Sequence, residues 1–387
     1  MRWPSAPIPP SSTLSPQTSR PSPIPWPSGW PLLLLFLLLL AFGGGCRRQP
    51  EGPEAQLEKA RQSLEAGRVD EAIGELETII AQEPNHLEAR LLLGEALGKA
   101  GRWSEAVEQY QAATVLHPDA AEAFYGLGQA AFQADQMEKA LTAFAQGVRL
   151  DPDGQDAYAD AIAQVAQAGL EAGERQLENG EIASAITLLQ AVTRLAPDQT
   201  RAHFLLGNAL VQSGNPANLP QAVEAYQQVL KQEPDNAAAQ TNLGVAYYQM
   251  GELDKAVAAY RDALALDPED AETHYLLGAA LLQKEQLEEA RQEFETALAQ
   301  DAQLAPAYIG LGNLYLLQGN PKQAVAYLEQ ARPLAPNSPE LYFALGQAHA
   351  QLGQKEEARA ALQQFLSLNP PQMWREQGEK LLQELGE

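Results

Sequence analysis

Prolines recur along this chain at a fixed interval. Pro84, Pro118 and Pro152 are spaced by 34 residues, as are Pro234 and Pro268, and Pro336 and Pro370. Pro268 and Pro336 lie two such periods apart, with Ala302 at the intermediate position. From Pro152 to Pro197 the interval is 45, eleven beyond one period, and from Pro197 to Pro234 it is 37, three beyond. Self-similarity at this length specifies a solenoid, in which each unit packs on its neighbours, rather than a set of globular domains.

Other residues repeat in step with the prolines. Tyr308, Leu311, Gly312 and Tyr315 precede Ala324, Leu328, Ala331 and Pro336; Phe124, Leu127, Gly128 and Ala131 precede Ala140, Phe144 and Pro152. Residues three, four and seven apart share one helix face, so each period encodes two amphipathic helices. Gly67, Gly101, Gly251, Gly319 and Gly353 fall between them, where the first helix stops and the chain reverses. Gly94, Gly128, Gly244, Gly278 and Gly312 stand opposite Ala106, Ala140, Ala256, Ala290 and Ala324, and these small pairs are expected to let the two helices approach closely. Each proline, with Asp, Asn or Glu after it in most copies, ends the second helix and opens the next period.

This pattern resembles the tetratricopeptide repeat family over residues 53–372, as nine repeats. The resemblance implies an all-α, right-handed solenoid of helix–turn–helix units with a concave inner face. Repeat one carries Gln56 and Lys59 where large apolar residues are usual, as a capping repeat should. Residues 373–387 read as a C-terminal capping helix with Trp374, Leu381, Leu382 and Leu385 on one stripe. The eleven extra residues near 155–165 contain no breaker and predict a first helix lengthened by about three turns. The three extra residues within 215–220 predict a longer turn between helices.

The chain begins differently. Residues 1–31 hold ten prolines and seven serines and cannot bury a core, so they are expected to be disordered or processed. Residues 32–46 then run from eleven apolar residues, Leu32 to Phe42, through three glycines to Cys46, the only cysteine. Eleven residues are too few to span a bilayer as a helix, which takes about 20, but suit a signal-peptide core. Cys46 directly after the glycines resembles a bacterial lipoprotein signal, with Gly43 where such signals usually carry Leu. That resemblance implies lipidation at Cys46, a short linker over residues 47–52, and repeats held outside the cytoplasm. Two alternatives are an uncleaved anchor, with Arg47 and Arg48 keeping the repeats cytoplasmic, and an organellar transit peptide.

Composition narrows the function. Among 387 residues, 26 Lys and Arg face 50 Asp and Glu, a net charge of −24. Such a field repels nucleic acid. One cysteine excludes an internal disulfide and a multi-cysteine zinc site. No phosphate-binding loop, dinucleotide fingerprint or zinc-protease motif occurs, repeats and cap leave no room for a catalytic domain, and no cofactor is implied. His203 and His274 open first helices where a large residue belongs, so packing at the core or groove edge is expected of them rather than ligation. The acidic surplus reads as a solvated convex face, with acids opening second helices to suit the dipole.

The candidate site is the inner face. Residues one, five and eight places after the opening motif residue of each first helix lie about 120–140° round from the packing stripe. They include Tyr125 and Gln129; Phe204 and Asn208; Thr241 and Tyr248; Tyr275 and Leu282; Ile309 and Asn313; and Phe343 and Gln347. As a set, aromatics interleaved with amides form a channel in which apolar pockets supply affinity and amides bond a peptide backbone. The plainer alternative is that each merely packs neighbouring repeats. Family receptors for acidic chaperone tails grip a carboxylate with basic groove residues, whereas here only Arg61, Lys99 and Arg201 are scattered over the matching places. The partners expected are therefore apolar, neutral-to-basic protein segments, met by a membrane-tethered scaffold that assembles a larger complex. Self-association as an envelope structural protein, tested by light scattering, is one alternative. An enzyme of unrecognised type, which would need converging His, Asp or Glu, is another.

Overall fold

The computed structural model describes residues 52–386; the leader, the apolar segment and Cys46 lie outside the described residues. Pro53–Glu387 form one unit. Among the described residues are nine helix pairs and a final helix, with no strand. The pairs are α1 (Pro53–Glu65) with α2 (Val69–Gln82), α3 (Leu87–Lys99) with α4 (Trp103–Leu116), and α5 (Ala121–Gln133) with α6 (Met137–Leu150). Next come α7 (Ala159–Glu178) with α8 (Ile182–Leu195), α9 (Thr200–Gln212) with α10 (Leu219–Gln232), and α11 (Ala237–Gln249) with α12 (Leu253–Leu266). The last are α13 (Ala271–Gln283) with α14 (Leu287–Gln300), α15 (Ala305–Leu317) with α16 (Pro321–Ala331), and α17 (Pro339–Gln351) with α18 (Lys355–Ser367), followed by α19 (Gln372–Glu384). Each second helix packs on its partner and, α6 excepted, next on the first helix of the following pair, so the described residues form an all-α solenoid. No helix among the described residues is long and apolar enough to cross a membrane.

The turn inside each pair follows one backbone rule. Gly67, Gly101, Gly180, Gly214, Gly251, Gly319 and Gly353 adopt φ between 65° and 77°, and Asp135 and Glu285 take the same conformation at 58° and 60°. In that conformation Arg102 N bonds Leu97 O at 2.8 Å and Gln286 N bonds Leu281 O at 2.9 Å, closing off the first helix. First helices open with caps two residues after the repeat proline. Asn236 Oδ1 accepts from Ala239 N at 2.9 Å, Asp270 Oδ1 from Glu272 N at 3.1 Å and Ser338 Oγ from Leu341 N at 3.2 Å. The acids directly after the prolines are not the caps.

The small residues work differently from the sequence expectation. The nearest atoms to Gly94, Gly128, Gly244, Gly278 and Gly312 belong to Tyr110, Phe144, Tyr260, Phe294 and Leu328. Each of these is four residues beyond the alanine proposed as the opposing partner. The glycines admit a ring or a leucine, and the alanines, fully buried, pack beside it.

Both insertions change shape as well as length. The chain after Pro152 forms a 3-10 turn, Asp153–Tyr158, before α7 begins. That helix has 20 residues against 13 in α5, seven extra rather than eleven, so the lengthening is about two turns. In the fifth pair, Asn215 Oδ1 accepts from Ala217 N at 3.1 Å and the added residues form the 3-10 turn Pro216–Asn218, as length predicted. At the C-terminus, Leu381, Leu382 and Leu385 pack against Ala358 and Leu362, and Arg359 donates to Leu385 O at 2.8 Å. Helix α19 therefore covers the end of the core.

Candidate functional site

The predicted inner row lies on successive first helices. Phe204, Asn208, Thr241, Tyr248, Tyr275, Leu282, Ile309, Asn313, Phe343 and Gln347 are all half-buried, and Gln129 is exposed. Tyr125 departs from the row. It is 1% exposed, its hydroxyl donates to Asp151 O at 2.7 Å, and its ring is stacked under Tyr158, so it offers no free face.

Aromatics at the first position of the row lean on their own second helix. Ring centroids are 6.2 Å apart for Phe204 and Tyr226, 6.1 Å for Tyr275 and Phe294, and 5.2 Å for Phe343 and Phe365. These distances hold each ring by edge and tilted contacts. Trp374 of α19 closes over the last of them, 6.3 Å from Phe343. Burial raises the hydroxyl pKa of both Tyr248 of α11 and Tyr275 of α13, and Tyr275, across the seam between pairs, adds to the rise at Tyr248. Glu340 and Glu272 push Tyr275 further up, so it stays a neutral donor.

The polar part of the row is organised as well. Asn208 Oδ1 accepts from Tyr226 Oη at 2.8 Å and from Asn242 Nδ2 at 3.0 Å, which leaves the Asn208 amide nitrogen as the group able to donate to a ligand. Thr241 and Thr273 share a hydrogen bond of 2.8 Å, and Thr273 donates to Asp270 at 2.5 Å. Asn242 and Thr273 lay outside the predicted set. Asn242 lies one period, 34 residues, from Asn208, so spacing could have paired them, whereas Thr273 is 32 from Thr241, off the period, and only the fold brings those hydroxyls together.

The scattered basic residues are not free to grip a carboxylate. Arg61 pairs with Glu88, Lys99 with Glu95 at 2.7 Å, and Arg201 with Glu174 at 2.5 Å. His203 and His274 hold the loops before their helices, with Nε2 2.9 Å from Pro197 O and 3.1 Å from Pro268 O. Arg90 does the same for Pro84 O at 2.8 Å. Among the described residues no three His, Cys, Asp or Glu side chains converge as a metal site. A shallow hollow of about 690 Å³ lies between α5 and α6, lined by Phe124, Leu127 and Met137 among others, and none of the predicted row lines it.

Comparison with known proteins follows the same periods. Models described as tetratricopeptide repeat match residues 91–155 and 170–218, 281–340, and 311–383. A model described as TPR repeat matches 218–251 and 246–285, and one described as bacterial transcriptional activator domain matches 53–119. None of these spans 156–169, where the insertion lies. No curated protein matches the chain. Among solved structures, the pilF protein of Pseudomonas aeruginosa is 18% identical, covering 58% of this chain and 98% of its own, with a TM-score of 0.47. A tetratricopeptide repeat protein from Parabacteroides merdae is 15% identical, with 69% and 99% covered and a TM-score of 0.48. MamA from Desulfovibrio magneticus is 23% identical, with 45% and 96% covered and a TM-score of 0.41.

Proposed function

The chain belongs to the tetratricopeptide repeat family, and from that premise we propose that it is a non-catalytic scaffold binding other proteins along its row of first helices. The observation that carries this reading is the half-buried series Phe204, Tyr248, Tyr275 and Phe343 beside the donor-bearing Asn208. Rings already held by their own repeats lose little further freedom when a ligand covers them, so contact area converts efficiently into affinity. With Arg61, Lys99 and Arg201 each paired to a Glu, the row favours apolar, neutral-to-basic segments over acidic tails. Several weak contacts summed over repeats supply the affinity.

The N-terminus completes the proposal. Cys46 after its apolar run would carry lipid and tether the repeats to a membrane, outside the cytoplasm, where they would gather components of a larger complex. An uncleaved anchor with cytoplasmic repeats is the alternative, and the mass of the N-terminal peptide from a bacterium expressing the full chain separates the two. A diacylated peptide beginning at Cys46 supports the first, and an intact unlipidated leader supports the second.

Groove binding is tested with Tyr248→Ala and Tyr275→Ala together. Proteins cross-linked to the native chain should be lost from this variant and retained by a convex-face variant such as Glu224→Gln. Equal recovery on both variants would show that the row is packing alone. Light scattering at two concentrations decides whether one of those partners is a second copy.

A further inference from the structure

At one junction the solenoid is built differently. Consecutive first helices pack on one another at the other junctions more than α5 and α7 do; here α6 packs on α8 more than on α7, and Gly169 of α7 lies between Leu141 and Val192. The turn Asp153–Tyr158 reaches Tyr125, where the Tyr158 ring stacks with centroids 4.3 Å apart and planes 11° from parallel. The Tyr125 hydroxyl also donates to Asp151 O at 2.7 Å, so one inner-row side chain holds both ends of the turn. Phe204, Tyr275 and Phe343, at the same place in their own repeats, stay half-exposed, whereas Tyr125 is 1% exposed.

We propose that this insertion is a tethered occupant of the inner face at the third repeat, standing where a partner segment with an aromatic side chain flanked by Lys or Arg would bind. The proposal rests on the inner row being a binding surface. Charge identifies the partner's chemistry. Asp153, Asp156 and Asp160 flank Tyr158 along the chain, and the acids that act on the Tyr158 hydroxyl are Glu122 and Glu95. Glu122 is exposed, and Glu95 is partly neutralised by Lys99 at 2.7 Å. The stack holds the occupant, and the two glutamates near the Tyr158 hydroxyl gain nothing from it. An aromatic residue between basic ones keeps the stack and adds attraction to Glu122 and Glu95, and so displaces the insertion.

The test uses the full chain and a synthetic peptide, Lys-Lys-Ala-Tyr-Ala-Lys-Lys, with a second peptide carrying Ala for Tyr. Nitration by tetranitromethane, read by peptide mass, should spare Tyr125 in the native chain and in Tyr158→Phe and modify it in Tyr158→Ala. The tyrosine peptide should bind Tyr158→Ala about tenfold more tightly than the native chain, the upper worth of one aromatic stack, and the alanine peptide should show no such gain. The native chain gives an independent reading that needs no variant. Saturating tyrosine peptide should displace the turn and speed hydrogen exchange across residues 153–158, and ~1 M sodium chloride should weaken that effect. An unreactive Tyr125 in Tyr158→Ala, peptide binding that is equal or absent in both chains, or exchange across residues 153–158 that saturating peptide leaves unchanged or slows would each overturn the proposal. Adding Tyr248→Ala to Tyr158→Ala should leave peptide binding unchanged, so a failure here is distinct from a failure of the row at repeats six and seven.

Discussion

Phe294 lies flat against Gly278, with its ring Cδ1 2.8 Å from where a Cβ on that glycine would stand. On the other side the same ring meets Gly310 of the next pair at 2.7 Å. One side chain on a second helix thus fills the gaps left by two first helices, its own and its successor's. Tyr110 stands in the same way between Gly94 and Gly126. The coupling between neighbouring repeats runs through these rings, and it sets what a small change should do.

Gly278→Ala and Gly310→Ala should each destabilise the seventh and eighth repeats by roughly 1–3 kcal/mol, because a buried ring has to move. Gly74→Ala should act in the opposite direction, adding roughly 0.5–1 kcal/mol, since that helical glycine has nothing within 4 Å. Hydrogen exchange resolved by repeat is the measurement, because a linear array opens locally. Equal effects at Gly278 and Gly74 would contradict the packing account.

Glu285 occupies at φ 60° the turn position that glycine holds in seven of the nine pairs. Glu285→Gly should stabilise the seventh repeat by about 0.5–1 kcal/mol, as a left-handed residue with a Cβ is relieved of 1–2 kcal/mol and loses part of that to chain entropy. Gly251→Ala should cost a similar amount. Urea melts of the two variants, compared with the native chain, check both signs.

Burial holds the Tyr110, Tyr226 and Tyr260 hydroxyls well above the ordinary tyrosine range. In the unfolded chain they ionise near pH 10, so above that pH the unfolded state has released protons that the folded state retains. Their contribution is complete below about pH 10 and is lost as pH rises through the folded values. Circular dichroism should therefore report unfolding that coincides with a step of tyrosinate absorbance, rather than following a gradual titration. Full ionisation with helix retained would refute this.

Asp270 caps α13 through Glu272 N at 3.1 Å and also accepts from Thr273, which is 1% exposed and bonded to Thr241. Asp270→Ala should cost about 1–2 kcal/mol, the upper range for a cap, since it also takes one of two hydrogen bonds from a buried hydroxyl. Asp270→Asn should recover most of the loss. Thermal melting of the two variants side by side distinguishes capping from charge.

Most of the architecture was readable from spacing. The nine pairs and the longer turn at 215–220 follow from intervals between prolines and glycines, and the capping helix from its apolar stripe, whereas the 3-10 turn at Asp153–Tyr158 was not foreseen, because the inserted residues contain no breaker. The inner row was readable only as positions. Spacing places Tyr248 and Tyr275 on the inner side, yet gives no sign that Asn208 already accepts two hydrogen bonds. It also treated Tyr125 like Phe204 and Tyr275, because all three hold the same place after the opening motif residue.

Within one 34-residue period the sequence by itself determined the helices, their turns and their apolar faces, since each depends on residues close in the chain. Local spacing could not determine how the irregular fourth pair packs, because an insertion without a period has no register to read. The tertiary structure decided that its first helix gains seven residues rather than eleven, that α6 meets α8, and that Tyr158 settles on Tyr125. Those outcomes depend on which distant surfaces the inserted residues can bury and bond at once, a competition fixed only when all of α5 to α8 are in place.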